Sequence, residues 1–485
     1  MLLKELLKNV YDGALDAASG HREIFAVGSD SRTVEKDSLF VALKGSRQDG
    51  TDFIEEAIRR GARVIAASHV PSRQRSDVVF LRVADPRHFL REVTRRFYGP
   101  MASRVRCIGV TGTNGKTTIT YLLESILKNA GKECGVIGTV NYRMAGEIFP
   151  SSSKNTTPGM VENQRFLAEL FQRHIGYCVM EVSSHAIDQG RVALIDFQTA
   201  VFTNLTSDHL DYHGTRENYF LAKARLFTDL SSENTAVINL DDPWGQKLVA
   251  MTKAKVVRYG IREKADVCAA DIELDVQGSR FNLCAPQGKA AIQTRLIGLH
   301  NVYNILAAAA AALAQGIGLD AVREGVARLE HVPGRLERID SPKGFSVFID
   351  YAHTEDALKN VLQALRGSVP GRIITVFGCG GDRDKTKRPK MGAVVGELSD
   401  AAIVTNDNPR GEDPQAIIQE IVAGFTKNNY EVIADREQAI RKAIETAQSG
   451  DIVLIAGKGH EDYQIFKDKT IAFDERGIVR KYLTC

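Results

Sequence analysis

At 485 residues the chain is long enough for about two to four domains with ample core. Its 63 Lys and Arg against 60 Asp and Glu give a formal charge of +3, too near balance for a nucleic-acid-binding field. Seven scattered cysteines with no C-x-x-C pair argue against a disulfide framework or a zinc site and fit reduced thiols in a cytosolic protein, and no apolar run of about 18 residues predicts a membrane span.

Residues 1–10 are apolar at helical spacing but charged throughout, so they read as a short amphipathic helix and not as a signal peptide. Residues 1–102 read as a small α/β domain. The polar segment Gly28 to Arg32 precedes an apolar run, Leu39 to Leu43; a polar loop over 44–50 leads to a helix over 53–60, and 64–67 and 78–83 read as further strands. Loops of this Gly, Ser and Asp composition admit a ligand, but they also simply turn the chain.

A second domain, 103–332, opens with the most informative stretch. Cys107 to Val110 predicts a buried parallel strand, Gly112-Thr113-Asn114-Gly115 a glycine-rich turn, and Lys116-Thr117-Thr118 the start of an amphipathic helix carrying Tyr121, Leu122, Leu123, Ile126 and Leu127. This is the P-loop arrangement: backbone N–H groups and the helix N-terminus hold phosphate oxygens, Lys116 reaches the β- and γ-phosphates, and Thr117 ligates Mg²⁺. The strict pattern wants glycine where this chain has Val110, and Gly112 supplies flexibility two places later. A glycine-rich turn with a surface lysine is the plain alternative.

Further strands are predicted over 135–140, 177–184, 199–204 and 235–242. Thr157 reads as a helix N-cap with Pro158 at the first helical position. Glu181 interrupts an apolar strand; it is either a carboxylate at a solvated strand end or, near P-loop phosphates, a holder of Mg²⁺. The loop 207–214 carries two His and two Asp, and His209 suits a metal ligand or a plain surface role. In a helix predicted over 218–230, Lys223 stands three residues after Phe220 and four before Phe227, on the inward face. Burial lowers a lysine's pKa and makes its amine more nucleophilic, able to take up CO₂ as a carbamate, a hard oxygen ligand for Mg²⁺. Snorkelling is the alternative, and periodicity alone favours it. A β-rich patch over 256–297 precedes an Ala-rich helix, at whose start Asn301 and Asn304 share one face, placed to hydrogen-bond a base or to cap backbone.

Pro333-Gly334 marks the second boundary, and 333–485 reads as a doubly wound parallel sheet. Strands over 345–350, 372–377, 401–405 and 451–456 alternate with helices over 355–366, 414–425 and 437–448. Each strand runs into a polar loop: Asp350 to His353, Gly378 to Asp384, Asp407-Asn408-Pro409-Arg410, and Gly457 to Glu461. Ligands sit at that carboxyl edge in such folds.

Gly112 to Thr118, Glu181 to His185, Asp208 to His213, Asn301 to Asn304, Pro333 to Arg335, Asp350 to His353 and Asp407 to Arg410 together resemble the Mur ligases of peptidoglycan synthesis, within them the branch that adds 2,6-diaminopimelate as the third amino acid. The resemblance spans all three domains. The P-loop alone is shared with folylpolyglutamate and cyanophycin synthetases; the Asp407 to Arg410 and Gly457 to Glu461 stretches are more specific. The fold implied is α/β: a UDP-binding N-terminal domain, a central P-loop ATPase domain with a parallel sheet, and a Rossmann-like doubly wound C-terminal domain for the amino acid. The activity implied is that of a monomeric, cytoplasmic, ATP- and Mg²⁺-dependent amide ligase. It joins meso-2,6-diaminopimelate to the D-Glu carboxylate of UDP-N-acetylmuramoyl-L-Ala-D-Glu through an acyl phosphate.

By the same resemblance Gly112, Thr113, Asn114, Gly115, Lys116, Thr117, Thr118 and Arg335 would hold the phosphates, and Asn301, Asn304 and Asp350 the adenine and ribose. Thr117 and Glu181 would sit at a first Mg²⁺, and His209 and carbamylated Lys223 at a second; Lys116, Glu181, His209, Lys223 and Arg335 would carry the catalysis. Ser31 and the stretch Ser46-Arg47-Gln48 would touch the uridine diphosphate; Asn155, Thr156, Thr157, Ser183, Gln189 and Arg191 would hold the muramoyl dipeptide. Diaminopimelate is lysine with an additional carboxylate at the far end, which an arginine grips bidentately. Arg410 and Arg383 would do so, with Asp407, Asn408, Pro409 and Gly457 completing the pocket and Glu461 receiving the distal ammonium. Residues 46–48 depart from the His-Gln version of some members, and Glu355 stands where the family commonly has proline, at a helix start that tolerates an acid.

Three other readings compete. Arg410 argues against a lysine-adding ligase of the same fold. The additional N-terminal domain and the Asp407 to Arg410 motif disfavour a folylpolyglutamate-synthase-like ligase. A nucleotide-gated binding protein without chemistry requires His209 and Lys223 to be idle. The order of motifs also demands that the third domain close onto a P-loop that lies far earlier in the chain.

Overall fold

The computed structural model describes residues 1–45, 48–70, 75–149, 155–206, 208–367 and 371–484. A first sheet is parallel, with β1 (Ala26–Gly28), β2 (Ser38–Val41), β3 (Ala62–Ala67) and β4 (Val79–Arg82) in sequence order. Side chains alternate across a strand. Leu39 and Val41 therefore pack with Phe89, Leu90 and Val93 of the helix Pro86–Ala102, while Phe40 packs with Ile54, Ala57 and Ile58 of the helix Ile54–Arg60 on the other face.

The second sheet has eleven strands. They are β5 (Arg106–Thr111), β6 (Cys134–Ile137), β7 (Tyr142–Met144), β8 (Glu147–Phe149), β9 (Tyr177–Glu181), β10 (Phe197–Phe202), β11 (Thr235–Asn239), β12 (Lys255–Gly260), β13 (Val267–Asp275), β14 (Gly278–Ala285) and β15 (Gly288–Thr294). Their order is β15-β14-β13-β12-β11-β10-β5-β9-β6-β7-β8. The run from β13 to β6 is parallel and antiparallel strands extend both edges. Helices Lys116–Asn129 and Leu299–Ala314 cover one face, and Met160–Gln172, Arg216–Thr228 and Pro243–Val249 the other. Ala307 to Ala312 are all buried; methyl-sized side chains let that helix lie against the sheet and its helical neighbours on every side.

The third sheet holds β16 (Glu337–Asp340), β17 (Ser346–Asp350), β18 (Ile373–Phe377), β19 (Ala401–Val404), β20 (Tyr430–Val432) and β21 (Ile452–Ala456), ordered β16-β17-β21-β18-β19-β20. Only β16 runs antiparallel among them. Helices Glu355–Arg366, Lys387–Leu398 and Pro414–Val422 pack on one face, and Arg436–Thr446 and Glu475–Leu483 on the other, so the sheet is doubly wound. A short hairpin, β22 (Tyr463–Ile465) and β23 (Thr470–Ala472), follows. Among the described residues no helix is long and apolar enough to cross a membrane.

One capping expectation is corrected. The helix after Pro158 begins at Met160 with Gly159 at its N-cap, and Thr157 does not cap it. The Thr157 hydroxyl donates instead to the Glu181 carbonyl at 2.8 Å and accepts from the Ser183 N–H at 3.1 Å, which ties the loop to the end of β9.

Candidate active site

β5 lies between β10 and β9, both later in the chain, so its carboxyl end opens at a topological switch point. The turn that follows is shaped for glycine. Gly112 and Gly115 take φ of 147° and 90°; a Cβ would fall 1.8 Å from Thr203 Oγ1 at the first and 2.3 Å from Asn304 Oδ1 at the second. Asn204 braces the turn, its carbonyl accepting from Thr113 N–H and its side-chain oxygen from Asn114 N–H. Thr118 is buried in the first helical turn beyond it.

Two lysine side chains converge on this turn. Lys116 Nζ donates to the carbonyls of Gly112 (3.0 Å) and Thr113 (2.8 Å). Lys223 Nζ donates to the same Gly112 carbonyl at 2.8 Å and lies 4.6 Å from the Tyr219 ring centroid. Lys223 is only 1% exposed, so the inward placement expected from its spacing is correct. Burial, and then the charge of Lys116, hold its pKa well below the ordinary lysine value, which favours the neutral nucleophilic amine.

Glu181 ends β9 and is likewise 1% exposed. Its carboxylate accepts from Thr139 N–H (2.8 Å) and Thr139 Oγ1 (3.0 Å), so it is a tethered buried carboxylate and not a solvated one. His209 has φ of 54°, a left-handed conformation uncommon for a side-chain-bearing residue. Its Nε2 lies 3.4 Å from Asp208 Oδ2, and partial desolvation lowers its imidazole pKa against the opposing pull of Asp208. At neutral pH the ring is therefore uncharged, with a lone pair for a metal.

The far wall comes from the third sheet. Arg335 donates to Thr117 Oγ1 at 3.1 Å and stacks 4.7 Å from the Tyr351 ring centroid. Asp350 accepts from the N–H groups of Leu336 and Ala352, both at 2.7 Å, and its burial raises its pKa. Asn304 donates to Asn301 Oδ1 at 2.9 Å, and Asn301 to the Ile297 carbonyl at 2.9 Å. These residues and the P-loop line a cleft of about 920 Å³. Asn114 Nδ2 donates to Asp356 Oδ2 across it at 2.9 Å, so the third unit does reach the P-loop.

Beside Glu181 lies a polar shelf. Arg191 donates to the Thr157 carbonyl and to Gln189 Oε1, both at 3.0 Å; Ser183 caps the short helix Ser184–Asp188; Thr156 meets Thr139 at 3.0 Å; and the Asn155 carbonyl accepts from Tyr142. Ser31 and Gln48 stand apart on the loops after β1 and β2. Ser31 donates to Glu56 at 2.9 Å, the Gln48 carbonyl accepts from Gly45, and Ser46 and Arg47 lie outside the described residues.

The loops after β19 and β21 meet. Asn408 Nδ2 donates to Glu461 Oε2 at 2.8 Å, the Asp407 carbonyl accepts from Gln464, and Gly457 N–H donates to the Asp350 carbonyl, linking this pocket to the cleft. The Pro409 carbonyl accepts from Glu412 N–H. Arg410, at φ of 53°, donates to the Gly381 carbonyl at 2.8 Å, and Arg383 to the Asp382 carbonyl. Two participants escaped sequence reasoning. Asp356 sits in the first turn of a helix, where an acid is routine. Lys458 is fully buried between Asn408 and Glu461; it lies inside the Gly457 to Glu461 stretch singled out in the sequence, where only Gly457 and Glu461 received a role.

Models of the Mur ligase family, catalytic domain, the Mur ligase middle domain and the Mur ligase glutamate ligase domain match residues 23–98, 110–312 and 334–459. The UDP-N-acetylmuramoyl-L-alanyl-D-glutamate–2,6-diaminopimelate ligase of Geobacillus kaustophilus is 47% identical over 469 residues, covering 95% of each chain. The chain belongs to the Mur ligase family. A solved structure of a UDP-N-acetylmuramoyl-L-alanyl-D-glutamate–2,6-diaminopimelate ligase is 34% identical, covers 100% of this Mur ligase and 99% of its own chain, and superposes with a TM-score of 0.67. The MurF ligase from Thermotoga maritima in complex with ADP shares the fold at 20% identity, with 94% and 96% covered and a TM-score of 0.68. In this Mur ligase the middle-domain match takes in the P-loop, Glu181, His209, Lys223 and both asparagines, and the last match takes in Arg335, Asp350 and the Asp407 to Arg410 loop.

Proposed function

We propose that this Mur ligase joins meso-2,6-diaminopimelate to the D-Glu carboxylate of UDP-N-acetylmuramoyl-L-Ala-D-Glu at the expense of ATP. The observation that carries the reading is that the loop holding Arg410 meets the loop after β21 through the Asn408–Glu461 hydrogen bond, while Arg410 itself donates only to the Gly381 carbonyl among the described residues. An arginine with donors to spare and a carboxylate match the distal carboxylate and ammonium of diaminopimelate. The name carried by the Geobacillus relative agrees.

In this reading the D-Glu carboxylate attacks the γ-phosphorus of ATP, giving an acyl phosphate and ADP. The acceptor amine then attacks the acyl carbon, loses a proton and displaces phosphate. Such chemistry depends on positioning and charge neutralisation. Lys116 and Arg335 hold the β- and γ-phosphates over the Gly112 to Thr118 turn. Asn301, Asn304 and Asp350 hold adenine and ribose. Asn155, Thr156, Thr157, Ser183, Gln189 and Arg191 seat the muramoyl dipeptide beside Glu181, and Ser31 with residues 46–48 the uridine diphosphate. Asp407, Asn408, Pro409, Arg410, Arg383, Gly457 and Glu461 seat the acceptor.

The donor set fits Mg²⁺. Glu181 and the Thr117 hydroxyl are hard oxygens, and Mg²⁺ keeps most of its waters, so two protein ligands suffice. His209 and Lys223 suit a second ion only with Lys223 as its carbamate, since a bare amine is a poor match for Mg²⁺. Mg²⁺ supplies charge neutralisation on the phosphates when bound. The reading places domain boundaries at 102/103 and 332/333 and takes the enzyme as a cytoplasmic monomer.

The test is phosphate release with Mg²⁺-ATP and UDP-N-acetylmuramoyl-L-Ala-D-Glu, offering meso-diaminopimelate and L-lysine in parallel. Diaminopimelate is expected to be strongly preferred, and Arg410→Ala to lose that preference. Wild-type preference for lysine would overturn the assignment of the acceptor.

A further inference from the structure

We infer that Lys458 is a specificity-determining residue for the acceptor: its buried ammonium offsets the charge of Glu461, so the pocket admits a distal amine only in company with a carboxylate. The inference rests on the acceptor reading above and extends it to a residue with no assigned role.

Lys458 is 0% exposed and lies between Gly457 and Gly459 just past β21. Its Nζ is 3.3 Å from Glu461 Oε2, 3.0 Å from Asn408 Oδ1 and 5.6 Å from the Tyr463 ring centroid. The Asn408 amide does not need this lysine for its orientation. Asn408 Oδ1 also accepts from Ile465 N–H at 3.0 Å, and Asn408 Nδ2 donates to Glu461. What Lys458 adds is charge. Beneath it the buried Arg436 and Glu475 pair at 2.7 Å. Lys458 stands beside Glu461, and beneath it Arg436 and Glu475 neutralise one another, so removing Lys458 takes away the positive charge that directly opposes Glu461.

No donor among the described residues reaches Glu461 Oε1, so one carboxylate oxygen is tied to Lys458 and Asn408 while the other is left to accept from the acceptor's ammonium. A distal zwitterion enters with its ammonium at Oε1 and its carboxylate at Arg410. A bare ammonium, as on lysine, brings one unmatched charge into a desolvated site, and this is costly. Discrimination thus has two parts: attraction of the carboxylate by Arg410, and refusal of the lone cation by Lys458.

The experiment measures kcat/KM for meso-diaminopimelate and for L-lysine in wild type, Lys458→Met, Lys458→Arg and Glu461→Gln, with KM for ATP as an internal reference. Lys458→Met is expected to lower the diaminopimelate-to-lysine ratio by about tenfold or more, the scale of one charge contact at intermediate dielectric, mainly through a lower KM for lysine. Lys458→Arg is expected to keep the ratio. Glu461→Gln leaves the lysine charge unopposed and is expected to penalise L-lysine more than diaminopimelate, which keeps the inference testable if Lys458→Met does not fold. An unchanged ratio in Lys458→Met, or equal losses for both acceptors in either variant, would overturn the inference while leaving the acceptor reading intact. Wild-type inactivity with diaminopimelate would overturn the acceptor reading, and this inference with it.

Discussion

At the scale of single residues the unusual feature is that two lysines share one carbonyl. Lys116 belongs to the phosphate loop, but Lys223 arrives from a helix more than a hundred residues later and stays buried. Burial beside Lys116 shifts that amine toward its neutral form, the form that adds to CO₂ with release of a proton to leave a carbamate. Lys223→Ala is expected to lose most ligase activity, with partial recovery on adding a short carboxylate such as formate; full activity in the variant would sink the carbamate. The inward position of Lys223 was legible from its phase between Phe220 and Phe227. The carbonyl it meets was not, because that contact depends on how β5 and the helix Arg216–Thr228 pack.

His300 gives a second test at this scale. It sits partly buried at the start of the helix Leu299–Ala314, and burial lowers its pKa from 6.5 to about 4. Between those values the unfolded chain binds the proton that the folded one refuses. Its contribution to stability is thus full above about pH 6.5 and falls as the pH drops toward 4. Urea midpoints at pH 7 and pH 5 are expected to differ less in His300→Gln than in wild type. Equal differences would show that this ring does not carry the effect.

At the scale of elements, the helix Glu355–Arg366 links fold to site. Thr354 caps it by accepting from Ala357 N–H at 3.3 Å, and Glu355 and Asp356 place negative charge in its first turn, where the helix dipole favours it. Glu355 is therefore physically quiet at this helix start, and its neighbour Asp356 accepts from Asn114. Thr354→Ala is expected to cost about 1 kcal/mol, read as a lower urea midpoint with unchanged slope; a midpoint equal to wild type would deny the cap any role. Elements with a continuous apolar run were readable from sequence, as with β5, β18 and β21. The helix Lys387–Leu398 was not, because Pro389, Gly392 and Gly396 interrupt its apolar pattern, and the three-residue strands β7, β8, β22 and β23 are too short to show a period. Thr157 misled for a local reason: its Thr-Pro signature suits a cap, but the carbonyl of Glu181 claims its hydroxyl.

At the scale of the whole molecule, the site exists only where two separately built cores face one another. The three-layer α/β character and the need for the third unit to reach the P-loop followed from the order of motifs. The bonds that do it, Asn114 to Asp356 and Arg335 to Thr117, did not, since each joins residues more than two hundred positions apart. Because the Asn114–Asp356 bond spans the cleft, Asn114→Ala is expected to raise the radius of gyration in nucleotide-free small-angle scattering, and Mg²⁺-ATP to restore the compact form. Scattering profiles identical to wild type without nucleotide would show that this bond does not hold the units together.

The same separation has a consequence for how the protein is made. The phosphate loop leaves the ribosome while Arg335, Asp350 and Asp356 are still to be translated. During that interval the loop has none of the groups that complete the nucleotide cleft. A partly synthesised or prematurely terminated chain therefore carries the phosphate loop in an unfinished cleft.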